Sequence, residues 1–141
     1  AISLARISCD LPIVFPVHPR TRQHAEVLKF LSQHPHVILT EPLGYLTFLA
    51  LQKKATVVIT DSGGIQEETT FLGVPCLTLR DNTERPVTVS LGTNILVGSD
   101  LTRLEHEVKN ILNGKTKKGQ IPLLWDGHAG ERIALALAEQ G

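Results

Sequence analysis

The chain has 141 residues and a mass of 15.4 kDa, is 42% hydrophobic, and sets 14 Lys and Arg against 14 Asp and Glu. That length holds one domain with a real core and is too short for two. With 20% charged residues, no single-sign blocks and two cysteines, composition excludes a disordered tail and a disulfide scaffold. A formal net charge of zero and a pI near 7.2 exclude a global field that collects nucleic acid. Lys115, Lys117 and Lys118 make only a short local cluster, so any anion site has to be local. No apolar run approaches the roughly 18 residues of a membrane span, and no segment has the order of a signal peptide. The expected protein is soluble, folded and cytoplasmic, with neither nucleic acid nor membrane as a partner.

The sequence has no Met and opens at Ala1. Its first segment spaces Ile2, Ala5 and Cys9, or alternatively Leu4, Ser8 and Leu11, as a helix does, with no capping residue ahead of them. Residues 1–11 therefore read as the tail of a helix begun upstream. From Pro12 onward, short apolar runs alternate with amphipathic stretches, the pattern of βα units and a parallel sheet. Strands are expected at 13–17, 37–40, 56–60, 75–79 and 94–97. The first helix between them is expected at 21–32, with Val27, Phe30, Leu31 and His34 on one face. Further helices are expected at 45–54, at 65–71 with Gly73 as its stop, and at 101–112. The last of these has Ser99 or Asp100 as its cap, Leu104, Val108, Ile111 and Leu112 on one face, and Asn113-Gly114 as a left-handed stop. A final helix is expected from 129 to 140. The polar run 114–127 is long for a structureless connection, which suggests a job or a docking surface. Cys76 lies in an apolar stretch and reads as a reduced core thiol; neither it nor Cys9 carries function.

Ligands of an open parallel sheet bind beyond the carboxyl ends of its strands, which selects the loops worth reading for chemistry. After the third strand, Asp61-Ser62-Gly63-Gly64 leads into Ile65-Gln66-Glu67-Glu68. Glycines there let backbone approach a ligand, helix-start amides suit a phosphate, and Ser62 adds a hydroxyl. Paired glycines also occur in plain turns, so spacing alone leaves both readings open. Glu67 and Glu68 offset the helix dipole, and because neighbours on a helix differ by roughly 100° at most one of them faces a ligand. A carboxylate one turn along suits a ribose diol, which favours a nucleoside diphosphate over free phosphate. Arg80-Asp81-Asn82-Thr83-Glu84-Arg85-Pro86 brings two guanidinium groups to the same edge, either paired with their own loop's acids or, for one of Arg80 and Arg85, clamping the diphosphate. His18, held between Pro16-Val17 and Pro19-Arg20 at the end of the first strand, is a candidate phosphate donor or proton-transfer group. His34 and His36 lie on the opposite edge without further ligands, and His24 and His106 read as surface residues, so no metal site is expected.

Together these stretches resemble the non-hydrolysing UDP-N-acetylglucosamine 2-epimerases. The resemblance is carried by Pro16-Val17-His18-Pro19-Arg20, by Thr60-Asp61-Ser62-Gly63-Gly64-Ile65-Gln66-Glu67-Glu68, by Leu72-Gly73-Val74-Pro75-Cys76-Leu77 and by Arg80-Asp81-Asn82-Thr83-Glu84-Arg85-Pro86. Gly92-Thr93-Asn94, Leu96-Val97-Gly98 and the closing Leu124-Trp125-Asp126-Gly127-His128-Ala129 with Glu131-Arg132-Ile133 extend it over nearly the whole chain. It covers only the carboxyl-terminal half of the family's protein, so residues 1–141 are expected to be one UDP-binding carboxyl-terminal domain without its amino-terminal partner. The fold it implies is α/β: a Rossmann-like parallel sheet of about five strands with helices on both faces, one half of a two-domain glycosyltransferase-B-like architecture. The activity it implies is interconversion of UDP-N-acetylglucosamine and UDP-N-acetylmannosamine by elimination and re-addition of UDP, without metal or nicotinamide cofactor. By the resemblance, Ser62, Gly63 and Gly64 hold the diphosphate and Glu68 the ribose hydroxyls. Arg85 and His18 stand near the phosphates and the reacting sugar, and the remaining catalytic groups lie on the amino-terminal domain. Family members are commonly dimers. Where many bacterial members have a Phe-His pair this chain has Phe48-Leu49, in a region linked to regulatory binding of a second sugar nucleotide. The nucleotide-binding domain of a glycosyltransferase and a non-catalytic nucleotide-binding module are the alternative readings.

Overall fold

In the computed structural model, which describes residues 1–139, strands and helices alternate in the expected order. β1 (Ile13–Pro16) pairs in parallel with β2 (Val37–Thr40), while β3 (Val58–Thr60), β4 (Cys76–Thr78) and β5 (Asn94–Leu96) form a second parallel sheet with β4 central. The expectation of one sheet of about five strands is thereby corrected: the ladders are two-stranded and three-stranded. The backbone of β1 supplies a reason. Ile13 and Val17 donate to the carbonyls of His36 and Thr40 at 2.8 and 2.9 Å, so the odd-numbered amides serve β2. The even-numbered positions serve the other edge, and there Pro16 has no N–H to give. Four strands are also one or two residues shorter than expected; Val17 and Leu79 each make one last amide bond, to the Thr40 and Thr60 carbonyls, and have no residue paired opposite them.

The three-stranded sheet is covered on both faces, by helices of different character. On one face Leu77 and Val97 meet Ile7 of α1 (Ile2–Ile7) and Leu104, Val108 and Ile111 of α6 (Leu101–Leu112), with Ile13, Val57, Ile59 and Ile95 alongside. Each such side chain contributes about 1.5–3 kcal/mol by leaving water. The strand alternation turns Cys76, Thr78 and Asn94 to the other face, under Gln66 and Thr69 of α4 (Gly63–Leu72). Burial pushes the Cys76 thiol up, keeping it protonated, and Cys9 is exposed and unpaired with it.

Capping follows the sequence closely. Asp100 accepts the Arg103 N–H at 2.9 Å, a bond worth about 1 kcal/mol to α6. Gly73 and Gly114 take left-handed φ values of 70° and 74° after their helices. Other expectations change. In α1 the buried side is Ser3, Ala5 and Ile7, neither of the two anticipated stripes, since contact with α6 rather than helical spacing alone selects the face. The helix expected at 21–32 is a 3-10 turn (Thr21–Gln23) and a separate α2 (Ala25–Ser32). The amides of Thr21 and Arg22 close back on the His18 carbonyl, and His24 at φ −95°, ψ 60° interrupts the helical path. Only Leu31 of the expected α2 stripe is buried within the helix. A short α5 (Pro86–Ser90) begins where the sequence suggested only loop, with Pro86 in the first turn where proline needs no donor. Helix α3 (Tyr45–Lys54) has the expected bounds, and α7 (Ala129–Ala138) stops short of Gln140, which lies outside the described residues.

The run 114–127 has no regular element yet is tied down. Gln120 donates to Leu91 O at 2.8 Å, and the Lys117 ammonium donates to the carbonyls of Val89 and Asn94. Burial lowers the Lys117 pKa. Ahead of α7, Arg132 places its two Nη groups on the two Asp126 oxygens, each at 2.9 Å, and reaches Leu124 O at 2.9 Å. Those bonds, with the His128 N–H, hold the Asp126 carboxyl at about 2, below the ordinary 3.8. A depressed folded value means the tie is intact above about pH 4 and is lost as pH falls toward 2. NMR titration of the Asp126 carboxyl should show a midpoint near 2. Arg132→Ala should return that midpoint to the ordinary carboxylate range near 4.

Candidate functional site

The parallel strands bring His18, the Ser62-Gly63-Gly64 turn and the Arg80–Arg85 loop to carboxyl ends of strands, the side where such folds hold ligands. Thr60 ends β3, and Asp61 and Ser62 lead straight into α4. Ser62 is the N-cap residue in extended conformation, and its N–H donates to Thr60 Oγ1 at 3.1 Å. Its hydroxyl makes no capping bond. The first-turn amides of α4 thus keep their donor capacity at the positive end of a ten-residue helix. Neither Gly63 nor Gly64 needs to be glycine for its backbone angle. A Cβ added at Gly64 would meet nothing within 4 Å, and at Gly63 the nearest atom is Arg85 Cγ at 4.0 Å. The glycines leave an open approach to the helix start, with Arg85 across it.

Arg85 is the arginine the fold brings to α4. Its Nε pairs with Glu67 Oε1 at 3.1 Å, both side chains being partly exposed, so the pair itself contributes at most about 1 kcal/mol. Its role is orientation, since the two Nη groups remain for another acceptor. Arg80 is exposed in the same loop, and among the described residues no hydrogen bond or ion pair joins it to α4. The adjacent acids diverge as helix geometry requires. Glu67 turns to Arg85, whereas Glu68 Oε2 accepts from Gln52 Nε2 of α3 at 2.6 Å. Gln52 is 2% exposed, the one buried residue of a helix that leaves Tyr45 and Leu46 in solvent. Sequence reasoning missed Gln52. No local signal marks it, because Gln52 ends an apolar run and is followed by Lys53 and Lys54, so it reads as part of a solvated helix end.

His18 stands apart: among the described residues no hydrogen bond or ion pair joins it to Arg85, Glu68 or the glycine turn. The Arg20 N–H donates into His18 Nδ1 at 3.2 Å, so in the neutral ring the proton sits on Nε2. Nearby, a cleft of about 440 Å³ at the ends of β1 and β2 is lined by Val17, Leu28, Leu39, Thr40 and the paired Arg22 and Glu41. Among the described residues no group of three or more His, Cys, Asp or Glu is placed to hold a metal ion, and no helix is long and apolar enough to cross a membrane.

A parallel α/β fold with an uncapped glycine turn entering a helix, and an arginine beside that turn, defines a Rossmann-like domain whose carboxyl edge carries free helix-start amides next to a guanidinium. The family model described as UDP-N-acetylglucosamine 2-epimerase matches residues 2–138, and the chain belongs to that family. It is 45% identical over 131 residues to the UDP-N-acetylglucosamine 2-epimerase of Methanocaldococcus jannaschii, covering 91% of this chain and 35% of that one. The Escherichia coli K12 enzyme of the same name is 41% identical over 132 residues, with the same two coverages of 91% and 35%. The crystal structure of the M. jannaschii epimerase in complex with UDP-GlcNAc and UDP matches with a TM-score of 0.86 and 42% identity, over 98% of this chain and 39% of that one. The Neisseria meningitidis epimerase bound to UDP-GlcNAc matches with a TM-score of 0.87 and 33% identity, over 98% and 39%. These neighbours have the glycosyltransferase-B-like architecture that the resemblance implies. The chain spans about a third of the length of the curated relatives it matches.

Proposed function

We propose that this chain is the UDP-binding carboxyl-terminal domain of an enzyme that interconverts UDP-N-acetylglucosamine and UDP-N-acetylmannosamine. The observation that carries the reading is the uncapped start of α4, left open by Gly63 and Gly64 and faced by Arg85. Similar proteins crystallised with UDP and UDP-GlcNAc support it. The Gly63 and Gly64 amides and the Ser62 hydroxyl donate to the diphosphate, and Arg85 neutralises its charge. Glu68, held by Gln52 through one oxygen, presents the other to the ribose hydroxyls. His18, with its proton on Nε2, donates toward the phosphate next to the reacting sugar or returns a proton.

As the bond from C1 to UDP breaks, negative charge grows on the departing diphosphate, and donors already aimed there lower the barrier. Besides His18, removing and returning the proton at C2 takes further general acid and base groups from the amino-terminal domain, so the present residues alone do not turn over substrate. The exposed Ile133, Leu135 and Leu137 of α7, a helix with no buried residue, suit a surface covered in the longer protein. A cytoplasmic location and a homodimer complete the reading.

Incubating the full-length protein with UDP-N-acetylglucosamine in deuterated water tests it. The expected result is the mannosamine isomer carrying deuterium at C2. Transfer of the sugar to an acceptor without exchange at C2 would make it a glycosyltransferase instead. In the same protein, Glu68→Ala should raise the UDP dissociation constant about tenfold or more by calorimetry, the scale of losing hydrogen bonds to a charged group.

A further inference from the structure

The loop that carries Arg85 is fastened to the core by buried polar side chains that do not themselves face the anion-binding turn proposed at α4. Asn94 of β5, fully buried, donates through Nδ2 to Gln66 Oε1 and to Thr88 Oγ1, each at 3.0 Å. Its Oδ1 accepts from Thr78 Oγ1 at 2.6 Å. Gln66, 1% exposed on α4, also accepts the Thr83 hydroxyl at 2.6 Å, and that hydroxyl in turn accepts the Arg85 N–H at 3.0 Å. Thr88 donates to the Arg85 carbonyl at 2.7 Å. The bonds close a ring through Asn94, Gln66, Thr83, Arg85 and Thr88, in which the Thr83 and Thr88 hydroxyls and the Asn94 Nδ2 group all find acceptors.

Such a ring is not needed for stability, because apolar side chains of similar shape pack about as well. What it adds is position. It grips Arg85 at both its N–H and its C=O, and its anchor, Gln66, lies on α4 within a turn of Gly63 and Gly64. Helix start and arginine backbone are therefore referenced to the same buried amide.

We infer that Thr83, through Gln66 and Asn94, is a positioning residue that sets the Arg85 guanidinium over the anion-binding turn. This rests on the reading of Arg85 as a diphosphate ligand. The test is calorimetry of UDP binding to the full-length protein carrying Thr83→Val, Thr83→Ala, Thr83→Ser, Arg85→Ala and the double variant Thr83→Val with Arg85→Ala. Thr83→Val and Thr83→Ala, which delete both hydroxyl bonds, should each weaken UDP binding about tenfold. Thr83→Ser, which keeps the hydroxyl, should stay within about threefold of the parent, and the double variant should bind no more weakly than Arg85→Ala alone. Unaltered binding by Thr83→Val and Thr83→Ala beside a weakened Arg85→Ala would overturn the inference and spare the function. An equal loss from Thr83→Val in both backgrounds would do the same, by showing a merely structural role. Unaltered binding by Arg85→Ala would overturn the reading of the site and the inference with it.

Discussion

Gly64→Val should abolish detectable UDP binding while leaving thermal unfolding nearly unchanged. A Cβ at this position meets nothing within 4 Å, and the backbone is in the ordinary helical region, so the fold has room for the larger side chain. Replacing glycine by valine early in a helix changes intrinsic propensity by only a few tenths of a kcal/mol. The same empty space is the approach to the α4 amides. A branched side chain there holds a phosphate away from donors that must lie within about 3 Å to bond it. Calorimetry with UDP beside a melting curve separates the two effects. Lost stability with retained binding would mean that Gly64 serves packing instead.

Gly92→Ala is the opposite case, and the largest expected loss of stability from a single methyl group. Its Cβ would stand 2.2 Å from Thr70 Oγ1 and 2.6 Å from the Thr88 carbonyl oxygen. Backbone cannot swing aside as a side chain can, so the turn between α5 and β5 has to shift. Overpacking of this kind costs about 1–3 kcal/mol or more, against a total stability of about 5–15 kcal/mol for a domain. Chemical denaturation should show a lowered midpoint with little change in slope. Because Thr88 holds the Arg85 carbonyl, some loss of UDP affinity should accompany it.

What sequence reading recovers here, and what it misses, divides along physical lines. Helix α6 is legible because its apolar stripe, its Asp100 cap and its Gly114 stop agree with one another, and each acts locally. The glycine turn is legible for a similar reason, since strand, turn and helix start are contiguous. Gln52, Gln66 and Asn94 are not legible, because a polar side chain reads as solvated unless its partners are known, and those partners lie 6 to 28 residues away. The break between the sheets escapes because periodicity marks which residues are buried and does not say which edge lacks a donor. The run 114–127 escapes for a third reason. Its order comes from single bonds, such as that from Gln120 to Leu91, and from no repeating pattern. Helix α5 did leave a sign in Pro86, a residue suited to a helix's first turn, but its five residues are too few for a periodic stripe.

UDP binding at the start of α4 is measured most directly by backbone-amide NMR during UDP titration of the full-length protein. Saturable shifts of the Gly63, Gly64 and Ile65 amides together with those of Arg85 are expected, absent in Gly64→Val. Saturable binding that leaves these amides unmoved and shifts only residues elsewhere would contradict binding at this helix start.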